Sequence, residues 1–135
     1  MAKLVLTDVV TTIAGTDYSA NINQVEISVS ADSVETTSFG NDWRTEVSGL
    51  KSGSFTVAFH NDYAAAGIDS SLWNLFGTQA TVVVKPAGTA VSASNPSYTF
   101  LVNVNNLTPI AGSVGDLATQ NVTWPISGEV ARATA

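Results

Sequence analysis

The residues best equipped for chemistry are the single histidine and the polar residues that follow it. His60 ends the alternating segment SFTVAFH and precedes Asn61 and Asp62. A carboxylate beside an imidazole can orient it as a general base, as in a serine hydrolase triad. Such a triad also needs a nucleophile, and the sequence has no serine in a GxSxG elbow. We therefore interpret His60 as the end of a strand and Asn61-Asp62 as turn-forming residues.

A second candidate for chemistry is a group of acids within fifteen residues, namely Asp32, Glu35, Asp42 and Glu46. Hard cations such as calcium bind carboxylate oxygens, but these acids do not have the spacing of a calcium-binding loop. A turn also separates Glu35 from Asp42. We expect solvated charges near strand ends, and we predict no metal site and no cofactor.

Other catalytic signatures have little support in the sequence. Any two acids can form a glycosidase pair, but three Trp and three Tyr leave few aromatic residues to line a sugar cleft. The glycine-containing segment GSVG lacks the lysine and the following helix of a phosphate-binding loop. We predict that the chain is not an enzyme.

The composition indicates one domain over residues 1–135, with many strands and turns. Hydrophobic residues make up 44% of the chain and charged residues 12%, against about 25% charged in an average soluble domain. Threonine, serine, asparagine and valine suit strands and turns better than helices. No cysteine is present, so disulfides and thiolate metal sites are excluded.

The net charge of −6 comes from eleven acids and five scattered bases. Specific nucleic-acid binding is not expected, because phosphate recognition needs clustered bases. An acidic surface is instead suited to let DNA pass without binding it. The start, MAKLVLTDVV, lacks the pattern of a signal peptide, and no apolar window approaches eighteen residues. We expect synthesis in a cytoplasm and no association with a membrane.

Alternation with a period of two predicts most of the elements. Val25, Ile27 and Val29 alternate with polar residues, and so do Phe55, Val57 and Phe59. Further strands are predicted in TVVVKP, SYTFLVNV and ATQNVTWPISGEV, and one or two in LVLTDVVTTIAG. Pro125 places the late strand at a sheet edge or a bulge. Short strands separated by frequent turns indicate an all-β fold, a two-sheet β-sandwich or barrel-like domain.

One segment, IDSSLWNLFGTQ, predicts a short flanking helix from about Ser70 to Phe76. Asp69 or Ser70 can cap its start, and Gly77 can end it in a left-handed conformation. Leu72, Leu75 and Phe76 fall on one stripe. We interpret this stripe as a plug over one opening of the sandwich.

The segment VETTSFGNDWRTEVSGLKSGSFTVAF, residues 34–59, joins two strand-like stretches through a polar, turn-rich middle. In its order of motifs the chain is similar to the tail tube, or major tail, proteins of long-tailed bacteriophages. The matching residues here are Glu35, Thr36, Thr37, Phe39, Gly40, Arg44, Gly49, Leu50, Lys51 and the strand from Phe55 to Phe59. Later matches are Asp62-Tyr63, residues 72–77, Asn95-Pro96 with Tyr98, residues 114–117, and Ser127-Gly128.

The resemblance implies a structural virion protein of the phage tail, assembled in the host cytoplasm. Members of the family form rings, usually hexameric, whose inner sheets join into a barrel. The rings stack into a tube through which DNA passes without specific binding. Implied partners are further copies of the chain and other tail proteins. Many members carry a long arm between rings, whereas the candidates here, residues 40–48, residues 85–96 and the termini, are short.

The polar middle of the segment is accordingly interpreted as a subunit interface, formed by Phe39, Asp42, Trp43, Arg44 and Glu46. Two other functions remain open from the sequence. A capsid decoration protein would share the fold and composition but would cap a lattice. A carbohydrate-binding β-sandwich module would stack exposed aromatic residues such as Trp43 on sugar faces.

Overall fold

A computed structural model describes residues 4–64 and 67–135. Its strands are β1 (Val10–Ile13), β2 (Thr16–Asp17), β3 (Ile22–Glu35), β4 (Glu46–His60), β5 (Gln79–Lys85), β6 (Ser97–Asn103), β7 (Thr119–Ile126) and β8 (Ala131–Ala133). A 3₁₀ turn covers Ser19–Asn21, and one α-helix, α1 (Ile68–Leu75), lies between β4 and β5. The predicted all-β class with one short helix is confirmed in the described part of the chain.

The strands form one antiparallel sheet in the order β2-β1-β5-β6-β7-β4-β3, and β8 pairs with β6. β6 and β7 pair only at Val102 and Ile126, so the sheet has two halves joined at a narrow seam. The chain crosses this seam itself, because β7 pairs with β4 whereas β8, a few residues later, pairs with β6. Gly128, at φ +98°, provides the bend between them, a conformation that glycine adopts without steric cost.

The core lies between the facing sides of the two halves. The strand β4 contributes Phe55, Val57 and Phe59, which are fully buried as their alternation predicts. The ring of Phe55 packs 5.3 Å from that of Phe100 on β6 and 6.2 Å from that of Trp124 on β7. The contact of Phe55 with Phe100 connects the two halves, whereas Trp124 is the cross-strand neighbour of Phe55 within one half.

The helix differs from its prediction in two respects. It begins after Gly67, with no side-chain cap from Asp69 or Ser70, and it ends before Gly77, which has the expected left-handed φ of +84°. The predicted plug is partly wrong, because Leu72 is buried but Phe76 is 48% exposed. Phe76 stacks on Trp73, with ring centroids 5.9 Å apart, so the two rings shield each other outside the core. No helix of the described residues is long and apolar enough to cross a membrane.

The strands β3 and β4 extend well past the core. Their pairing continues from Ile22 with Phe59 to Glu35 with Glu46, but the residues beyond Ile27 and Gly53 are mostly exposed. We call residues 31–51, the outer parts of both strands and the loop between them, the arm. The arm is longer than the candidate segment 40–48, because its strands continue outward for several residues after burial ends.

A glycine is required where the arm leaves the domain. A side chain at Gly53 would approach Ile126 Cδ1 to 3.2 Å and the carbonyl oxygen of Ser28 to 3.0 Å. Such distances are closer than ordinary van der Waals contact. The close approach lets the base of the arm pack tightly against the end of β7.

Candidate subunit interface

The histidine does not form a catalytic arrangement in the described part of the chain. His60 is half-buried at the end of β4, and its Nδ1 atom has no hydrogen-bond partner there. The Oδ1 atom of Asp62 accepts a hydrogen bond from the Ala64 amide at 3.0 Å and makes no ion pair with the imidazole. The geometry therefore lacks the hydrogen bond between an imidazole and an orienting acid that a triad needs.

The four acids that were considered as calcium ligands all lie on the arm. Glu35 and Glu46 are directly opposite each other across the two strands, and Arg44 Nη1 lies 3.7 Å from Glu35 Oε2. Asp42 lies in the loop at the tip. No group of three His, Asp or Glu residues suited to a metal ion occurs among the described residues.

The tip of the arm holds all five predicted interface residues, and all are exposed: Phe39, Asp42, Trp43, Arg44 and Glu46. Trp43 is 85% exposed. The neck of the loop is fixed by hydrogen bonds between Thr36 and Thr45, with the two hydroxyls 2.8 Å apart and the Thr36 amide 2.8 Å from the Thr45 carbonyl. The tip is therefore an ordered projection that presents aromatic and charged side chains to solvent.

The arm also carries exposed apolar side chains that the sequence analysis did not identify. Val29 and Ala31 continue the face of β3 that faces the core further down, whereas Val34 lies on the opposite face, because β3 advances by only two residues through the register shift and keeps its alternation. Val34 and Val47 are direct cross-strand neighbours, and both are at least half exposed. The alternation of Val25, Ile27 and Val29 pointed to the first face, whereas the pair Val34 and Val47 interrupts the otherwise polar second face.

A groove opens at the base of the arm, between residues 51–53 of β4 and the strand β8. It has a volume of about 960 Å³. Its apolar floor comes from Ile27, Tyr98, Ile126 and Val130, and its basic groups are Lys51 and Arg132. The groove reaches the arm at Lys51, which lines it together with Val29.

The outer edge of β3 is a further unpaired surface in the described chain. β3 pairs with β4 on one side, and it ends the strand order of the sheet on the other. Along Ile22–Glu35, about every second residue thus presents its backbone N–H and C=O groups to this edge, since the residues between them bond to β4. Such an edge is a template for pairing with another chain.

The face of β3, β4 and β7 that points away from the core is polar. It includes Ser28, Ser54, Thr56 and Thr123, and the hydroxyls of the two threonines are 3.0 Å apart. Between Gln24 and Ser30 its one charged side chain is that of Glu26, and the outward positions of β7 and of β4 from Ser52 onward carry no Lys or Arg. This face is therefore rich in hydroxyls and nearly free of charge.

No protein-family model and no curated protein matches the sequence. Among solved structures, the chain is similar to one in the virion of a native gene transfer agent particle, with a TM-score of 0.74 and 18% identity, over 93% of this chain and 95% of that one. A chain in the C6-symmetric tail of an empty gene transfer agent particle gives a TM-score of 0.65 and 19% identity, over 90% and 89%.

A third similar chain belongs to the six-fold symmetrised baseplate of the anti-feeding prophage. It gives a TM-score of 0.55 and 8% identity, over 98% of this chain and 97% of that one. All three likenesses extend over nearly the full length of both chains. The chain therefore has, from end to end, a fold that also occurs in a gene transfer agent virion, in a tail and in a prophage baseplate.

Proposed function

We propose that the chain is the structural subunit of a phage tail tube, which assembles into stacked rings, hexameric in our proposal, around a channel for DNA. The observation that carries this proposal is the full-length fold likeness to a chain in a C6-symmetric tail. The free β3 edge and the exposed arm support it, because both are surfaces that a monomer leaves unsatisfied. The chain is then a component of the virion tail, assembled in the host cytoplasm together with other tail proteins.

The ring contact in this proposal is pairing along the outer edge of β3. Adding a neighbour's strand to a free edge satisfies its backbone groups without specialised side chains. Closed around a ring, the pairing covers the β3 edge of every subunit. The part of β3 before the arm makes the contact extensive, since residues 22–30 at about 3.3 Å each span ~30 Å.

The contact between stacked rings is assigned to the tip of the arm. Phe39 and Trp43 provide apolar surface, and Asp42, Arg44 and Glu46 provide charges that favour one orientation of the partner. These side chains make few contacts within their own subunit, so they are free to meet another copy.

The channel lining is assigned to the polar outer face of β3, β4 and β7. This face is the one that the inner barrel would turn toward its axis. With one carboxylate between Gln24 and Ser30 and hydroxyls elsewhere, it offers phosphate groups no cation to bind. DNA would then slide along it without specific contacts.

Electron microscopy of the purified protein over a range of concentrations, with light-scattering mass measured alongside, tests the proposal. Stacked rings or hollow tubes are the expected result. A lattice-capping shape without tubes would favour a decoration protein instead. A protein that stays monomeric at every concentration contradicts self-assembly of the chain on its own.

A further inference from the structure

An exposed apolar loop precedes β7, at the end of the domain opposite the arm. The strands β4 and β7 are antiparallel, and the start of β7 at Thr119 pairs with the end of β4 at His60. The segment before it, residues 109–117, therefore lies at the His60 end, and we call it the distal loop. Its large apolar side chains are all exposed to solvent: Ile110, Val114 and Leu117.

Hydrogen bonds hold the distal loop in place. The hydroxyl of Tyr63 donates to the Pro109 carbonyl oxygen at 2.6 Å, and the side-chain amide of Asn61 donates to the same oxygen at 3.1 Å. Within the loop, the Ser113 amide donates to Asp116 Oδ2 at 3.0 Å. The apolar side chains are thus presented on an ordered backbone, which reduces the entropy lost when a partner covers them.

The two ends of the domain differ in charge. The end with the distal loop holds three acids: Asp62, Asp69 and Asp116. The bases of the described chain all lie elsewhere: Arg44, Lys51, Lys85 and Arg132. Subunits stacked head to tail therefore bring an acidic end against an end that carries bases, an arrangement that favours this orientation over its reverse.

The groove at the base of the arm matches the distal loop in both apolar surface and charge. Its floor is apolar, and its charged residues are Lys51, Arg132 and one acid, Glu129. Arg132 Nε donates a hydrogen bond to the Tyr98 hydroxyl at 3.3 Å. Neither Lys51 nor Arg132 forms an ion pair within the part of the chain that the structure describes. A partner that combines apolar side chains with a carboxylate would satisfy both parts of the groove.

The distal loop cannot reach the groove of its own subunit. Gly53 lines the groove, and the seven steps along β4 from Gly53 to His60 span ~23 Å at about 3.3 Å per step. The hydrogen bonds to Tyr63 and Asn61 hold the loop at the far end of this distance. The occupant that matches the groove is therefore the distal loop of another copy.

We propose that the distal loop of each subunit docks in the groove of a subunit in the next ring, with Val114 on the apolar floor. Asp116 then lies near Lys51 and Arg132. This inference rests on the proposed function and adds a contact at the base of the arm to the one assigned to its tip. Loop and groove are different surfaces, so the contact is head-to-tail and repeats without closing.

Disulfide cross-linking tests the docking directly, because the chain has no native cysteine. Tubes assembled from a mixture of Val114→Cys and Val130→Cys subunits are oxidised and separated on a non-reducing gel. A cross-linked dimer is expected. A mixture of Val114→Cys and Ala93→Cys is the matched control and should give none. Ala93 is exposed in the connection between β5 and β6, at the same end of the domain as the groove but outside its lining.

The alternative occupant of the groove is the exposed apolar segment Leu4–Val5–Leu6 of a neighbour. A mixture of Val5→Cys and Val130→Cys tests it. Cross-linking of this pair in place of Val114 with Val130, or equal cross-linking of Val114 to Val130 and to Ala93, overturns the docking. Tubes in which Val114 and Val130 do not link also overturn it and leave the proposed function intact. Wild-type protein that forms no tubes instead contradicts the proposed function itself.

Charge reversal provides a measurement that needs no cysteine. Arg132→Glu should raise the concentration needed for tube formation by about tenfold, since it places a carboxylate opposite the acidic distal loop. Lys85→Glu, the same charge change at the same end of the domain but outside the groove, should raise it far less. Adding Ala111→Lys, at an exposed position of the distal loop, to Arg132→Glu should restore assembly. Equal effects of Arg132→Glu and Lys85→Glu, or no restoration, would contradict the docking.

Discussion

Trp124 is the residue that connects most of the domain. Its side chain is fully buried, its ring packs against Phe55, and its Nε1 atom donates a 2.9 Å hydrogen bond to the Asn106 carbonyl oxygen. The bond fixes the segment around Asn106, which lies beside β7. The ring itself fills part of the core. One side chain thus stabilises both the core and a long connection.

Truncation of Trp124 to alanine should lower the free energy of unfolding by about 3–5 kcal/mol, because it leaves a cavity and an unpaired carbonyl. Trp43→Ala is the control, since Trp43 is exposed and its truncation should change the free energy by less than about 0.5 kcal/mol. Urea unfolding followed by circular dichroism measures both. A loss of similar size for the two variants would contradict the assignment of Trp43 to the surface.

Arg44→Glu should stop assembly and leave the monomer folded. The Arg44 side chain is 86% exposed, so its ion pair with Glu35 contributes little to stability, whereas the reversed charge adds a further acid to an acidic arm. Sedimentation velocity measures assembly, and a thermal melt of the same sample shows whether the monomer is folded. A variant that unfolds would show that the ion pair holds the arm together rather than meeting another subunit.

At the scale of elements, the arm is separable from the folded domain. Its residues lie outside the core, and Ser30 and Ser52, which flank it, are directly paired. A two-residue turn can therefore close the hairpin at that point. In the proposed tube, contacts made by the arm would serve a partner rather than its own domain.

Replacing residues 31–51 with Asn-Gly should give a folded monomer that does not form tubes. The melting temperature should change by only a few degrees, since the buried cluster is untouched and the turn suits a two-residue hairpin. Calorimetry measures the melting temperature, and electron microscopy shows whether tubes form. Tubes formed by the shortened chain would show that stacking does not need the arm.

The 3₁₀ turn Ser19–Asn21 is fixed by a carboxylate. Asp17 Oδ1 accepts hydrogen bonds from the amide of Ser19, at 2.9 Å, and from its hydroxyl, and these bonds lower the pKa of Asp17. The Ser19 hydroxyl oxygen in turn accepts a bond from the Thr11 amide at 2.9 Å. The carboxylate thereby connects the turn to β1.

This arrangement predicts a small acid-dependent loss of stability. Because the pKa of Asp17 is lower in the folded chain, the stabilisation is complete above the ordinary pKa of an aspartate, about 4. It is lost as the pH falls through the lowered pKa. Asp17→Asn should therefore reduce the slope of unfolding free energy against pH below about pH 4. An unchanged slope would indicate that the carboxylate is not bonded in this way.

At the scale of the whole molecule, the chain distributes polarity in an unusual way. One face of β3, β4 and β7 is buried and aromatic, while the opposite face is hydroxyl-rich and nearly uncharged. Most bases lie elsewhere, on the arm, in the groove or at the end of β5. A subunit that surrounds a DNA channel benefits from this separation, because cations on the lining would hold the passing phosphates.

Thr56→Lys should make assembled tubes retain DNA. Each subunit would add one cation to the lining, and binding should weaken steeply as the salt concentration rises. Ala93→Lys, in the exposed connection between β5 and β6, is the control with the same added charge. Co-sedimentation of tubes with short duplex DNA measures both. Equal retention by the two variants would contradict the assignment of this face to the channel.

The sequence by itself determined the all-β class, the short helix before β5 and most of the core. Alternation identified Phe55, Val57 and Phe59, because a strand with one buried face has a period of two. It also indicated that residues 34–59 hold two strand-like stretches joined by a polar, turn-rich middle. The placement of the five tip residues in an actual subunit contact remains a prediction.

Only the tertiary structure decided which of the strand residues are covered. Val25, Ile27 and Val29 belong to one alternating pattern, yet Val29 is 62% exposed, because the opposite half of the sheet ends before it. Phe76 also lies outside the core, where its ring stacks on that of Trp73. The groove joins residues from β3, β4, β6, β7 and the region of β8, and no local pattern can bring such distant segments together. Burial depends on where neighbouring elements end, and that is a property of the folded chain as a whole.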